Sequence, residues 1–266
     1  MLFRTLIVVL ILGVAAPLQK AEAQTAAAPL SAAPLSTDFN LITAIDVSDS
    51  ISRHEEWLQL TGLSRGVVHP GFLSLVREGL MQRIGFMAFT WSSDGQVRIV
   101  VPWTVIAGPE DAARVAAQLR DAPRIDRSHY DGNHQAPQAG GGSGSDASAG
   151  GMTDIAQAVG AATRLATAAP YQGRRAVINI LSDGVDNAGF EPAMLRDEAI
   201  RAGATINGVV FGGRQDLPAY FRENVIGGPG AFLMTVRDPQ DLPKVLEKKF
   251  WRDLIAGHTP SSLQAG

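Results

Sequence analysis

No cysteine occurs in the 266 residues, which excludes disulfides, a lipobox and every thiolate metal site. A folded chain of this composition must therefore hold together through its core. Charge of one sign is also scarce: the formal net charge is −3, too small and of the wrong sign for general nucleic-acid binding. The N-terminal apolar run is too short for an ordinary membrane span, and no second apolar run reaches that length. The histidines, His54, His69, His129, His134 and His258, have no zinc spacing. No internal repeat is evident.

What is present starts with a secretory signal over residues 1–23. Arg4 supplies the positive region, Leu6 to Ala16 the apolar region, and Ala21-Glu-Ala23 a small-x-small cleavage site. Retention as an uncleaved anchor is the alternative. Residues 24–37, rich in Ala, Pro and Ser, read as a flexible leader. The mature chain is expected to be soluble, periplasmic or secreted, with no transmembrane segment.

The most informative stretch follows. Leu41, Ile42, Ala44 and Ile45 form an apolar run of the kind that is covered on both faces of a parallel sheet. Polar groups begin abruptly at Asp46, Ser48 and Ser50, at the carboxyl end of the strand, where open α/β sheets bind ligands. Hydroxyls and a carboxylate are hard oxygen donors suited to Mg²⁺, Mn²⁺ or Ca²⁺. The plain alternative is that Ser50 or Ser52 caps the next helix.

Asp46-Val-Ser-Asp-Ser50 resembles the first element of the metal-ion-dependent adhesion site of von Willebrand factor A domains. The second and third elements resemble Gly150-Gly-Met-Thr-Asp154, with Thr153 matching the threonine ligand, and Ile180-Leu-Ser-Asp-Gly184, with Asp183 matching the aspartate. The resemblance spans about residues 38 to 256. Glu55, Trp57 and the run from Phe89 to Thr104 look most like a secreted bacterial branch of undefined function. The resemblance implies that Thr153, Ser48 and Ser50 touch the metal while Asp46 and Asp183 act partly through water. Asp49, Asp154 and Asp186 are candidates for orienting those ligands, or else are solvated loop and capping carboxylates.

Elsewhere strands alternate with helices, which predicts a doubly wound α/β fold with a mostly parallel six-stranded sheet. The pattern gives helices on both faces over residues 38–256. Ser93-Asp-Gly95 marks a hairpin turn that makes one edge strand antiparallel. Trp57, Leu60, Leu63 and Val67 are spaced for the buried face of the first helix. Residues 122–151 are a Gly- and Ser-rich insertion with little to bury, expected to be mobile and to emerge at Thr153. Residues 257–266 form a tail. Gly62-Leu-Ser-Arg-Gly66 has the spacing of a hydrolase nucleophile elbow but lies inside a helical pattern, so it reads as chance. Trp57, Trp91 and Trp103 read as core or sheet-edge packing.

The expected function is non-catalytic: neutral hydroxyls offset little of a dication's charge, so the open coordination position favours an Asp or Glu carboxylate from a partner protein or ligand. A Mg²⁺-dependent hydrolase with Asp46 or Asp183 as general base is the alternative, though no convincing nucleophile accompanies it. A structural domain with an unused metal site is the third. The sequence leaves the oligomeric state open.

Overall fold

The structure, a computed structural model, describes residues 34–93, 95–124 and 151–258, with side chains to residue 255. The expected signal over 1–23, most of the leader, nearly all of the 122–151 insertion and the tail after 258 lie outside the described residues.

In chain order the elements are β1 (Ser36–Thr37), β2 (Asn40–Asp46), α1 (Arg53–Val67), α2 (Pro70–Glu78), β3 (Ile84–Trp91), β4 (Val97–Ile106), α3 (Pro109–Arg120), α4 (Ile155–Thr167), β5 (Gln172–Gly173), β6 (Ala176–Ser182), α5 (Pro192–Arg201), β7 (Ala204–Val210), α6 (Leu217–Asn224), β8 (Leu233–Thr235) and α7 (Leu242–His258). A six-stranded sheet runs β4-β3-β2-β6-β7-β8. Every pairing is parallel except β3 with the edge strand β4. This is the doubly wound α/β fold that the alternating pattern predicts. β1 and β5 add a small parallel pair.

The alternation of side chains sorts the core into two layers. Leu41, Ile45, Val177, Leu181 and Val209 pack with α1, α2, α3 and α7 on one face. Ile42, Ala44, Ile178, Ile180 and Ile206 pack with α4, α5 and α6 on the other. Every residue of β2 and β7 is buried. Each fully buried aliphatic or Phe side chain contributes about 1.5–3 kcal/mol of transfer free energy, and that core is what serves a chain with no disulfide.

Helix α1 departs from expectation in two ways. It starts as the capping reading of Ser52 foresaw: Ser52 and Glu55 form a reciprocal capping box, worth about 1 kcal/mol. Trp57, expected on the buried face, is instead 43% exposed and stacks on His54 with ring centroids 5.6 Å apart. The reason is that α7 and α3 both cover α1. Burial therefore extends over Leu58, Gln59, Gly62 and Gly66, and the side left to solvent carries Trp57. Gly62 and Gly66, which read as a chance motif, face α7. A methyl group on Gly62 would stand 2.7 Å from Pro243 Cα. The two glycines thus let the helices approach closely. Trp91 is fully buried in β3, and Trp103 is partly buried in the edge strand beside Tyr171.

A polar row crosses the first of these faces. Thr43, Asn179 and Asn207 are paired positions on adjacent strands, all buried. Beneath them α7 presents Lys249 and Asp253, both fully buried.

Candidate metal centre

Parallel strands end side by side, so β2 and β6 deliver Asp46 and Ser182 to the same sheet edge. Asp46 is fully buried. Its Oδ1 accepts from the Ser48 amide at 2.9 Å and the Ser48 hydroxyl at 2.6 Å, and its Oδ2 accepts from Ser182 Oγ at 2.6 Å. Gln59 of α1 holds the loop from outside by donating to the Asp46 carbonyl at 2.9 Å.

The other expected residues gather there. Ser48 Oγ lies 3.3 Å from Ser50 Oγ, Thr153 Oγ1 donates to Ser48 Oγ at 3.2 Å, and Ser50 Oγ donates to Asp183 Oδ1 at 2.7 Å. Residues separated by more than a hundred positions thus form one connected oxygen cluster. The hydroxyl spacings of 3.2 and 3.3 Å are long for O–H···O bonds, which centre near about 2.7–2.8 Å.

Each loop is held in place. Asp49 N donates to Gly151 O at 2.9 Å, joining the first and second loops. Met152 N donates to Ser93 Oγ at 2.8 Å. Gly151 has φ +72°, and a methyl group there would stand 2.6 Å from that Ser93 oxygen. Asn187 brackets Thr153, accepting from its amide at 2.8 Å and donating to its carbonyl at 2.9 Å. Asp154 caps α4 by accepting from Gln157 N at 2.7 Å. Asp186 accepts from Ala156 N and Ala188 N, both at 3.1 Å, and so ties the third loop to α4. Asp154 therefore caps α4, while Asp186 holds the third loop against the start of that helix. Sequence reasoning passed over Ser182, Gln59 and Asn187. Ser182 was visible as the residue before Asp183 in a Ser-Asp-Gly turn; the other two carry no local sign.

The electrostatics are those of a site short of positive charge. Burial, with the nearby Asp183 charge as second cause, pushes the Asp46 carboxyl up to about 7, against hydrogen bonds from Ser182 and Ser48. Burial also raises Asp183, and Glu55 adds to the effect; Ser50 and Arg214 oppose it. Among the described residues no three His, Asp or Glu side chains converge as a metal site. The donor set is therefore mainly hydroxyl, with two carboxylates and no nitrogen. That composition fits a hard dication.

Beside Asp183 the chain turns at Gly212, where a methyl group would stand 3.3 Å from the Asp183 Cβ. The next residues open a cavity of about 510 Å³ between the ends of β7 and β8 and the start of α6, lined by Gly213, Arg214, Leu217, Thr235 and Arg237 among others.

Comparison with known proteins bears on the fold. The fold matches proximal thread matrix protein 1 from the mussel byssus, at 14% identity over 84% of this chain and 48% of that one, with a TM-score of 0.53. A second structure of that protein, described as having a zinc-occupied MIDAS motif, matches at 16% identity over 84% and 49%, TM-score 0.53. The von Willebrand factor type A protein from Catenulispora acidiphila matches at 15% identity over 82% and 43%, TM-score 0.52. This chain spans under half the length of each. No curated protein matches it. The sequence model of the family described as "Protein of unknown function (DUF1194)" matches residues 36–136 and 139–258. The chain belongs to that family, and the family is here built on a von Willebrand factor A fold.

Proposed function

We propose that this is an exported, non-catalytic binding module that holds a divalent cation between its three loops and uses it to bind an acidic group. The observation that carries the reading is the convergence of Asp46, Ser48, Ser50, Thr153 and Asp183 into one oxygen cluster with, among the described residues, no Lys or Arg bonded within it. Ser48, Ser50 and Thr153 would supply neutral oxygens, with Asp46 and Asp183 behind or beside them. A dication so held keeps most of its charge and accepts a carboxylate from outside. Mg²⁺ is the proposed ion, with Mn²⁺ and Ca²⁺ as chemically allowed substitutes.

Two further features support an acidic partner. Arg214 and Arg237 line the cavity next to Asp183, so the surface around the cluster is not uniformly acidic. Ser50, alone among the three hydroxyl residues, is exposed to solvent, so the cluster opens outward on the side where a ligand would arrive. Export rests on the N-terminal segment; among the described residues no helix is long and apolar enough to cross a membrane.

Titration calorimetry with Mg²⁺ and Mn²⁺, on the native chain and on Ser48→Ala, tests the reading. Saturable heat in the native chain that is lost in the variant supports it, and no saturable heat with either ion overturns it. Hydrolysis is the competing reading, favoured by the Asp46 carboxyl titrating near neutrality. Metal-dependent turnover of phosphoesters or peptides would put it in place of the binding reading.

A further inference from the structure

A second cluster, far from the strand ends, holds the parts of a condensation reaction. Lys249 and Asp253 sit one turn apart on α7, and Asn179 and Asn207 sit side by side on β6 and β7; all four are buried. Lys249 Nζ donates to Asn179 Oδ1 and lies 2.8 and 3.0 Å from the two oxygens of Asp253. Asn179 Nδ2 donates to Asp253 Oδ2 at 2.9 Å. One carboxylate therefore bridges an amine and the amide nitrogen of the carboxamide that the amine touches.

We propose that Lys249 and Asn179 condense into an intramolecular amide, with Asp253 moving the proton. Nζ attacks Cγ of Asn179, and the bond from Cγ to Nδ2 breaks. Beginning from the ammonium and the carboxylate, Nζ gives up two protons. One is taken by Asp253, which becomes a carboxylic acid, and the other leaves on Nδ2 as ammonia. Atoms and charge balance without any oxidant or cofactor. General base and general acid are thus the same group, already within hydrogen-bond reach of both nitrogens.

The surroundings favour this outcome. Water, which would divert the amide to hydrolysis, is kept out by the burial of all four residues. Burial lowers the Lys249 pKa, and the Arg252 charge adds to that while Asp253 opposes it, so the nucleophilic amine is easier to reach than in water. The Phe232 ring covers the amine at 5.1 Å. Of the two asparagines only Asn179 offers its carbonyl: Asn207 Oδ1 is taken by the Phe232 amide at 3.0 Å, and its Nδ2 steadies Asp253 Oδ1 at 2.9 Å. The bond would tie the closing helix to a central strand across 70 positions. That gives a cysteine-free exported chain the staple a disulfide otherwise provides.

Mass spectrometry of the purified, denatured full chain decides the matter. The expected result is a branched tryptic peptide, present in most molecules, joining residues 176–196 to 249–252 and lighter than the sum of the two by one ammonia, with no loss of water. Because Gln24, the first residue once the signal is cleaved after Ala23, can also lose ammonia, the location of the loss counts, not the intact mass alone. Lys249→Arg and Asp253→Ala are expected to yield only linear peptides. The native chain suffices if either variant fails to fold. Linear peptides alone from the native chain, with Lys249 open to an amine reagent after unfolding, would overturn the proposal.

Discussion

Two buried carboxylates, Asp46 and Asp253, have opposite surroundings. Both are fully buried and both accept several hydrogen bonds. Asp253 faces the Lys249 amine and two asparagine amides, so its cluster carries no net charge, either as an ion pair or as the amide and carboxylic acid that condensation would leave. Among the described residues the Asp46 carboxylate bonds only to hydroxyls and one backbone amide, and the charge that acts on it is another carboxylate, Asp183. Burial of charge therefore does not by itself mark a binding site. The mark is burial without a countercharge, since an isolated buried ion is far too unfavourable to leave unpaired.

The largest expected effect comes from opening the closed cluster. Asp253→Ala strands a buried lysine and is expected to lower unfolding stability by about 3–5 kcal/mol, read from denaturant curves. The corresponding change at the open cluster has the reverse sign. Asp46→Asn removes an unpaired charge while keeping an acceptor for Ser48. In metal-free buffer at pH 8 it is expected to raise Tm by about 2–4 °C, the shift for roughly 1 kcal/mol in a domain of this size. It is also expected to abolish stabilisation by Mg²⁺. Equal destabilisation in the two variants would break the comparison.

The two clusters were also unequally legible. At the strand ends the sequence carries the site openly, because apolar runs stop at Asp46 and Ser182 and the polar residues after them are close in sequence to where they act. The alternation of strands and helices and the antiparallel edge were legible for the same reason, since periodicity is local, whereas the order of the strands in the sheet was not read from the sequence. The cluster under the sheet left no such trace. Lys249 and Asp253 look like an ordinary solvated pair one helical turn apart, and only the covering of α7 by the sheet buries them. Asn179 and Asn207 interrupt apolar strands without any turn to explain them, a sign that could have been read. Trp57 was misplaced by the same limit, since which side of α1 faces solvent is set by α7, a partner late in the chain.

A pH series sharpens the contrast further. In the unfolded chain Asp46 titrates near 3.8, and in the folded, metal-free chain near 7. Between those values the folded state binds a proton that the unfolded state has released. This contribution to stability is complete below about pH 4 and is lost as pH rises through about 7. A cation competes for the same oxygen, so stabilisation by Mg²⁺ is expected to grow over that interval. Thermal melts from pH 5 to 8 with and without Mg²⁺ should diverge as pH rises. Parallel curves would show that the ion does not engage Asp46.

The smallest effect separates cation binding from folding. Gly184 follows Asp183, and its amide donates to Ser182 Oγ at 3.2 Å. A methyl group there would stand 3.3 Å from Thr153 Oγ1, near enough to displace that oxygen by a few tenths of an ångström without touching the core. Gly184→Ala is therefore expected to leave stability unchanged or to raise it by about 0.4–1 kcal/mol, through reduced freedom of the unfolded chain. Its Mg²⁺ affinity, by calorimetry, is expected to fall about 10-fold, the scale of a misplaced ligand. An unaltered affinity would mean that Thr153 is a bystander, and that the cation, if bound, relies on the Asp46 loop and Asp183 alone.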